Sequence, residues 1–298
     1  MFRGIYVACI TILDENGNFD LANMTVHINN LINSGVDGIL FLGSTGEFYS
    51  FSVEQRKKLA SFAVNSVNKR VKVLIGTGST NINEVIEVSK FSKEIGADGI
   101  TIVSPYYFGP SDSAAEQYFG KIAQAVDIPI MLYNFPARTG TELSIEVVSN
   151  LAKKYYNIVS LKDTVDSISH TRRVIQKIKS IRPDFTVLSG FDEYYILNRL
   201  SGGDGVLCGL ANVEPKLFVD LHRAYENKDF VTVEKCAKKI SVLMNLYECT
   251  DLFITAIKAA VKVNGLDIST YTNLPGINIT DKQFNIVKKI VEEARSIV

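Results

Sequence analysis

The chain has 298 residues, 46% of them hydrophobic and 21% charged. That apolar share is too high for a disordered chain and is ordinary for a globular one. Thirty-two basic residues balance 32 acidic ones, so no basic field exists to attract nucleic acid or an anionic membrane surface. Weak net repulsion suits a chain that self-associates.

The four cysteines, Cys9, Cys208, Cys236 and Cys249, form no C-x-x-C pair and fit no zinc spacing. They read as free thiols in a reducing compartment. The N-terminus, Met1-Phe2-Arg3-Gly4-Ile5-Tyr6, lacks a charged n-region followed by a long apolar stretch, so no signal peptide is expected there. The apolar runs fall short of the ~20 residues that cross a bilayer. A cytoplasmic location is expected.

Eight short apolar runs punctuate the chain: 5–12, 38–42, 71–76, 99–103, 129–133, 158–161, 185–188 and 205–207. Most are continuously apolar rather than alternating, as strands buried on both faces of a parallel sheet are. Helical patterns lie between them. Residues 21–34 place Leu21, Met24, Ile28, Leu31 and Ile32 on one stripe, and 53–67 follow Ser52 as N-cap. Residues 82–95, 114–126, a helix opened by Ser144, 168–181 and 194–200 complete the set. Gly35-Val36-Asp37-Gly38, Gly96-Ala97-Asp98-Gly99 and Gly202-Gly203-Asp204-Gly205 read as tight helix-to-strand turns. In these turns glycine makes the left-handed cap and aspartate bonds its own local backbone.

A βα unit of roughly 30 residues with eight strands predicts a (β/α)8 TIM barrel. A doubly wound open sheet is the alternative, but it would carry a glycine fingerprint after its first strand, and there is none. After residue 212 the strands stop, and 216–225, 230–247, 252–263 and 280–298 read as helices. The expected division is a barrel over 1–212 and a C-terminal helical extension over 213–298 packed on it.

Chemistry in such a barrel sits at the C-terminal ends of the strands. Gly43-Ser44-Thr45-Gly46-Glu47 offers two hydroxyls and backbone N–H groups to a carboxylate, and equally reads as a capping turn. Ser104-Pro105-Tyr106-Tyr107 brings two phenols, which interface packing would also explain. Tyr133 and Arg138 follow the fifth strand, and Lys162 ends the sixth. A desolvated lysine gives up its proton more readily and becomes a nucleophile toward carbonyls. The plainer reading pairs it with a carboxylate such as Glu47. His27, His170 and His222 fall in helices away from strand ends, and no metal site is expected. Together, Lys162, Tyr133 and the Ser44–Thr45 hydroxyls suit Schiff-base chemistry on a 2-oxo acid. Lys162 would form the iminium, Tyr133 would move protons, and the hydroxyls would hold the carboxylate and relay protons.

The motifs Gly43-Ser44-Thr45-Gly46-Glu47, Tyr133-Asn134-x-Pro136 and Lys162-Asp163-Thr164 resemble the dihydrodipicolinate synthase / N-acetylneuraminate lyase family over nearly the whole chain. The resemblance implies class I aldolase chemistry on pyruvate and an aldehyde, with the Schiff base on Lys162 and no metal or other cofactor. It also implies a homotetramer, or dimer of dimers. It makes Tyr133 the catalytic tyrosine and places Ser44 in the proton relay. Thr45, with Gly46, would grip the pyruvate carboxylate, and Tyr107 would reach into the neighbouring subunit's site.

Several residues depart from the lysine-biosynthetic pattern: Ser44 for threonine, Asp163-Thr164 for Glu-Ala, Phe48 and Tyr49 for small residues, and Val53 and Arg56 where histidines are common. Leu161-Lys162-Asp163-Thr164-Val165-Asp166-Ser167 and Ser189-Gly190-Phe191-Asp192 look instead like the bacterial 2-keto-3-deoxygluconate aldolase branch. Arg138 argues the other way, because it matches the arginine that holds the carboxylate of aspartate semialdehyde. The favoured expectation is cleavage of a 2-keto-3-deoxy sugar acid. The alternative is dihydrodipicolinate synthase, with N-acetylneuraminate lyase and a non-catalytic 2-oxo acid sensor behind it. A phosphosugar enzyme using Gly202-Gly203 as a phosphate cup is a further alternative.

Overall fold

The computed structural model describes residues 1–297. Strands and helices alternate as β1 (Gly4–Ala8), α1 (Leu21–Ser34), β2 (Gly38–Phe41), α2 (Val53–Val67), β3 (Lys72–Gly76), α3 (Ile82–Glu94) and β4 (Gly99–Val103). They continue as α4 (Asp112–Ala125), β5 (Ile130–Asn134), α5 (Pro136–Thr139), α6 (Ile145–Lys154), β6 (Ile158–Asp163), α7 (Ile168–Ile181), β7 (Thr186–Ser189), α8 (Tyr195–Leu200) and β8 (Gly205–Cys208). Four more helices follow: α9 (Pro215–Glu226), α10 (Phe230–Met244), α11 (Phe253–Val263) and α12 (Asp281–Ser296). The sequence reading carried the last helix to Val298, which lies outside the described residues.

Each strand pairs in parallel with the next, and β1 pairs with β8, so the sheet closes into a barrel. Closure rules out the open doubly wound sheet. The first apolar run is only partly strand. The Cys9 N–H still bonds Leu40 O of β2 at 2.9 Å, but beyond it the chain leaves the ladder, and the Ile10 N–H turns to the Asn212 side chain at 3.1 Å. Ser52 and Ser144 cap their helices as expected, Ser52 within a capping box with Gln55.

Two nested cores explain the apolar runs. Inward-facing Tyr6, Ala8, Leu40, Leu74, Met131, Leu188 and Leu207 fill the barrel, with Phe2 packed among them. Outward residues such as Ile130, Leu132, Leu161 and Val187 pack under the helices. The residues of α10, α11 and α12 share one apolar cluster with β1, β2, α1 and α2. The C-terminal helices are thereby packed on the barrel wall.

The Gly-x-Asp-Gly turns differ from expectation. Gly35, Gly96 and Gly202 take the left-handed conformation that ends each helix. The aspartates do not bond their own turns. Asp37 accepts the N–H of Ile5 at 2.7 Å, Asp98 that of Val73 at 2.9 Å and Asp204 that of Val187 at 2.9 Å. Each carboxylate thus reaches the second residue of the preceding strand. It ties β1 to β2, β3 to β4 and β7 to β8 at the N-terminal end of the barrel. Gly202 and Gly203 lie at that same end, and the Gly203 N–H is spent on Asn198 O at 2.8 Å. They cannot serve as a phosphate cup for a site at the opposite end.

Candidate active site

Strand register assembles the site. Tyr133 of β5 is paired with Lys162 of β6, and Lys162 with Leu188 of β7. Leu161 is turned outward into the helix layer, so Lys162 points into the barrel one layer above Leu188. Its Nζ stands 4.4 Å from the centre of the Tyr133 ring. Both side chains are buried, at 6% and 4% exposure. Gly190 makes room for the lysine. A Cβ there would fall 1.8 Å from Thr164 Oγ1 and 3.0 Å from Lys162 Cε.

These residues line a cavity of about 450 Å³ at the C-terminal ends of the strands, together with Ser44, Thr45 and Arg138. Phe135 stacks on Tyr133 with ring centres 5.9 Å apart. Arg138 is exposed on α5, the short turn of helix that follows β5.

Two expected members do not join this cavity. Gly46 spends its N–H on Gly43 O at 3.0 Å, and its carbonyl accepts from Thr11 Oγ1 at 2.8 Å. It is a turn residue, not a ligand for a carboxylate. Tyr107 projects to the surface, 89% exposed with φ +76°, its ring edge-on to the equally exposed Phe108. Tyr106 is the tyrosine that turns inward, packing against Phe48 beside a smaller apolar annex that shares Ser44 and Arg138 with the main cavity.

Glu47 is not the partner of Lys162. It is fully buried and pairs with Lys258 of α11. Asp163 alternates outward from Lys162 and is held by Asn134 Nδ2 and Thr171 Oγ1, both at 3.1 Å. His170 lies 3.3 Å from Asp163 and 3.3 Å from Glu142, so this histidine is packed against a strand end after all. Burial pulls its pKa down, but hydrogen bonding and charge from Asp163, with the charge of Glu142, outweigh that and raise it. No cluster of three metal-ligating side chains occurs among the described residues.

The far wall of the cavity was not legible as part of a site. Asp192 follows β7, wholly buried. It accepts the Leu210 N–H at 2.8 Å and the Tyr247 hydroxyl at 2.7 Å, and burial raises its pKa. Asp166, Glu193 and Glu248 line the same side. Tyr194 donates to Asp166, and burial, reinforced by the Asp166 charge, raises the pKa of Glu193. The motif ending in Asp192 was visible in the sequence. Nothing local pointed to Tyr247 and Glu248, which arrive from the turn after α10.

A closed (β/α)8 barrel with a lysine and a tyrosine side by side at the strand ends defines the class. The dihydrodipicolinate synthetase family model matches residues 1–294, and the chain belongs to this family of lyases. YagE of Escherichia coli K12, provisionally named a 2-dehydro-3-deoxy-D-gluconate aldolase, is 37% identical over 99% of this chain and 98% of its own. The crystal structure of YagE with pyruvate superposes with a TM-score of 0.97 and covers 99% of both chains. YjhH of the same organism, provisionally named a 2-dehydro-3-deoxy-D-pentonate aldolase, is 37% identical over 94% of this chain and 93% of its own. The 4-hydroxy-tetrahydrodipicolinate synthase of Methanocaldococcus jannaschii is also 37% identical, over 82% of each chain.

Proposed function

We propose that this chain is a class I aldolase that cleaves a 2-keto-3-deoxy sugar acid to pyruvate and an aldehyde. The observation that carries this is Lys162 buried against Tyr133 at the cavity floor, with the Ser44 and Thr45 hydroxyls alongside. The Lys162 amine attacks the C2 carbonyl and water leaves, forming an iminium. Tyr133 takes the proton of the C4 hydroxyl, the C3–C4 bond breaks, and its electron pair moves into the iminium as an enamine. The aldehyde departs. The enamine takes a proton at C3, and water hydrolyses the iminium to pyruvate and free Lys162. Thr45 holds the carboxylate, and Ser44 passes protons to and from Tyr133. Apart from the covalent link to Lys162, the scheme uses no cofactor.

The acidic far wall supports a sugar-acid substrate. Carboxylates accept hydrogen bonds from hydroxyls and repel a second anion. The names of YagE and YjhH point the same way. Arg138 supports a second reading, condensation of pyruvate with aspartate semialdehyde, because its guanidinium can take a carboxylate bidentately.

Tyr107 and Phe108, two exposed aromatic rings packed edge to face, support assembly with another copy whose cavity receives Tyr107, as a dimer or tetramer. The four free thiols fit a reducing, cytoplasmic compartment.

The deciding test is borohydride reduction in the presence of pyruvate. An adduct mass on Lys162, absent in Lys162→Ala, is expected. No adduct at saturating pyruvate refutes the mechanism. Cleavage of 2-keto-3-deoxygluconate is then compared with condensation on aspartate semialdehyde. Arg138→Leu should cost the second reaction roughly 10–100-fold in KM, the worth of a hydrogen bond to a charged group, and the first much less.

A further inference from the structure

The loop carrying Ser44 and Thr45 ends in a residue whose side-chain partners all come from the C-terminal helical region. Glu47 is non-glycine yet left-handed, with φ +58°, a conformation that persists only where the surroundings hold it. Its backbone bonds Ser44 and Ser50 within the loop, and what holds its side chain is buried and charged. Glu47 Oε1 accepts from Lys258 Nζ at 2.5 Å, and Oε2 accepts the Asn273 N–H at 3.1 Å. The same ammonium donates to the Tyr271 carbonyl at 2.6 Å, and the Asn273 side chain donates to Ser50 Oγ at 3.2 Å. Neither Glu47 nor Lys258 is exposed to solvent. Both partners lie on or just after α11, far from the barrel in sequence.

We propose that the Glu47–Lys258 pair is a positioning device. It locks the Ser44–Thr45 loop in the geometry that receives the 2-oxo acid carboxylate, and so makes substrate binding depend on the C-terminal helices. A buried ion pair is a poor source of net stability, because desolvating two charges costs about as much as their attraction returns; well-packed apolar residues would often do as well. What the pair supplies that apolar residues cannot is direction. One carboxylate, with two differently placed acceptor oxygens, fixes the loop's end against a helix and against the 271–273 segment at once. Neither residue touches the cavity, so the effect passes through Ser44 and Thr45.

This inference rests on the Schiff-base reading, and the experiment separates the two. The wild-type chain is first titrated with pyruvate under borohydride to obtain the half-saturating concentration of the Lys162 adduct. Where pyruvate binds without an adduct, calorimetry supplies the same constant, and the chemical reading falls while the positioning claim is still tested. If pyruvate does not bind at all, both fall. The variants are Glu47→Asp, which keeps the charge but shortens its reach, and the double substitution Glu47→Leu with Lys258→Met, which leaves no unpaired buried charge. The single change Lys258→Met strands a buried carboxylate, which is strongly destabilising in itself, so the test does not depend on it. In both variants half-saturation should rise about tenfold or more, while adduct at saturation still forms on Lys162 and the thermal transition stays cooperative. A purely structural pair would give a folded double variant that binds pyruvate within twofold of wild type, and that result overturns the proposal.

Discussion

Gly190→Ala is a single methyl group aimed at the centre of the site. Its Cβ would lie 1.8 Å from Thr164 Oγ1, 2.8 Å from Thr164 Cβ and 3.0 Å from Lys162 Cε. Rotating Thr164 relieves the first contact but not the second, since Cβ does not move with χ1. Carbon atoms prefer separations of about 3.5–4.0 Å, so Thr164 must retreat by close to 1 Å and Lys162 by about half that. Overpacking of this kind costs about 1–3 kcal/mol, a fall in Tm of roughly 2–6 °C at about 2 °C per kcal/mol. Moving a reacting group by an ångström costs up to about 10²-fold in rate, so the loss in kcat should exceed what the stability change explains. Circular dichroism melts, steady-state cleavage and borohydride trapping on the same preparation are the assay. Wild-type kcat with an unshifted Tm would refute the claim that Lys162 is packed against Gly190.

Two further outcomes concern the frame. Asp37→Ala and Asp98→Ala should each cost about 1–3 kcal/mol, because each strands a strand N–H at the N-terminal end of the barrel; denaturant melts measure this, and kcat, set at the opposite end, should stay unchanged. The raised pKa of His170 means that protonation stabilises the fold. That contribution is fully present below the ordinary histidine pKa and is lost as pH rises through the folded value. The Tm advantage of wild type over His170→Gln should therefore be larger at pH 5.5 than at pH 8, and an advantage that grows with pH would contradict the Asp163–His170–Glu142 contact. His27 and His222, whose pKa values burial lowers, work in the opposite direction, so the comparison must be made against the variant rather than on wild type alone.

Local pattern was enough for the barrel. Strands covered on both faces leave continuous apolar runs, and helices between them leave a 3.6-residue stripe, so each element announced itself over a few residues. It was also enough to bring Lys162, Tyr133, Ser44 and Thr45 to one rim of the barrel, where they line a single cavity, because side chains at the C-terminal end of a buried strand have one place to go in this architecture. Polar partners were another matter. Glu47 lies 211 residues from Lys258, and Asp192 lies 55 from Tyr247. Nothing in either neighbourhood says which opposite group will be brought within hydrogen-bond reach. The turn aspartates show the same limit over shorter range, since their side chains crossed to the preceding strand rather than closing their own turns. Periodicity records which side of an element is dry. A buried charge must still find its partner, and only closure of the barrel and docking of the C-terminal helices decide which one it meets.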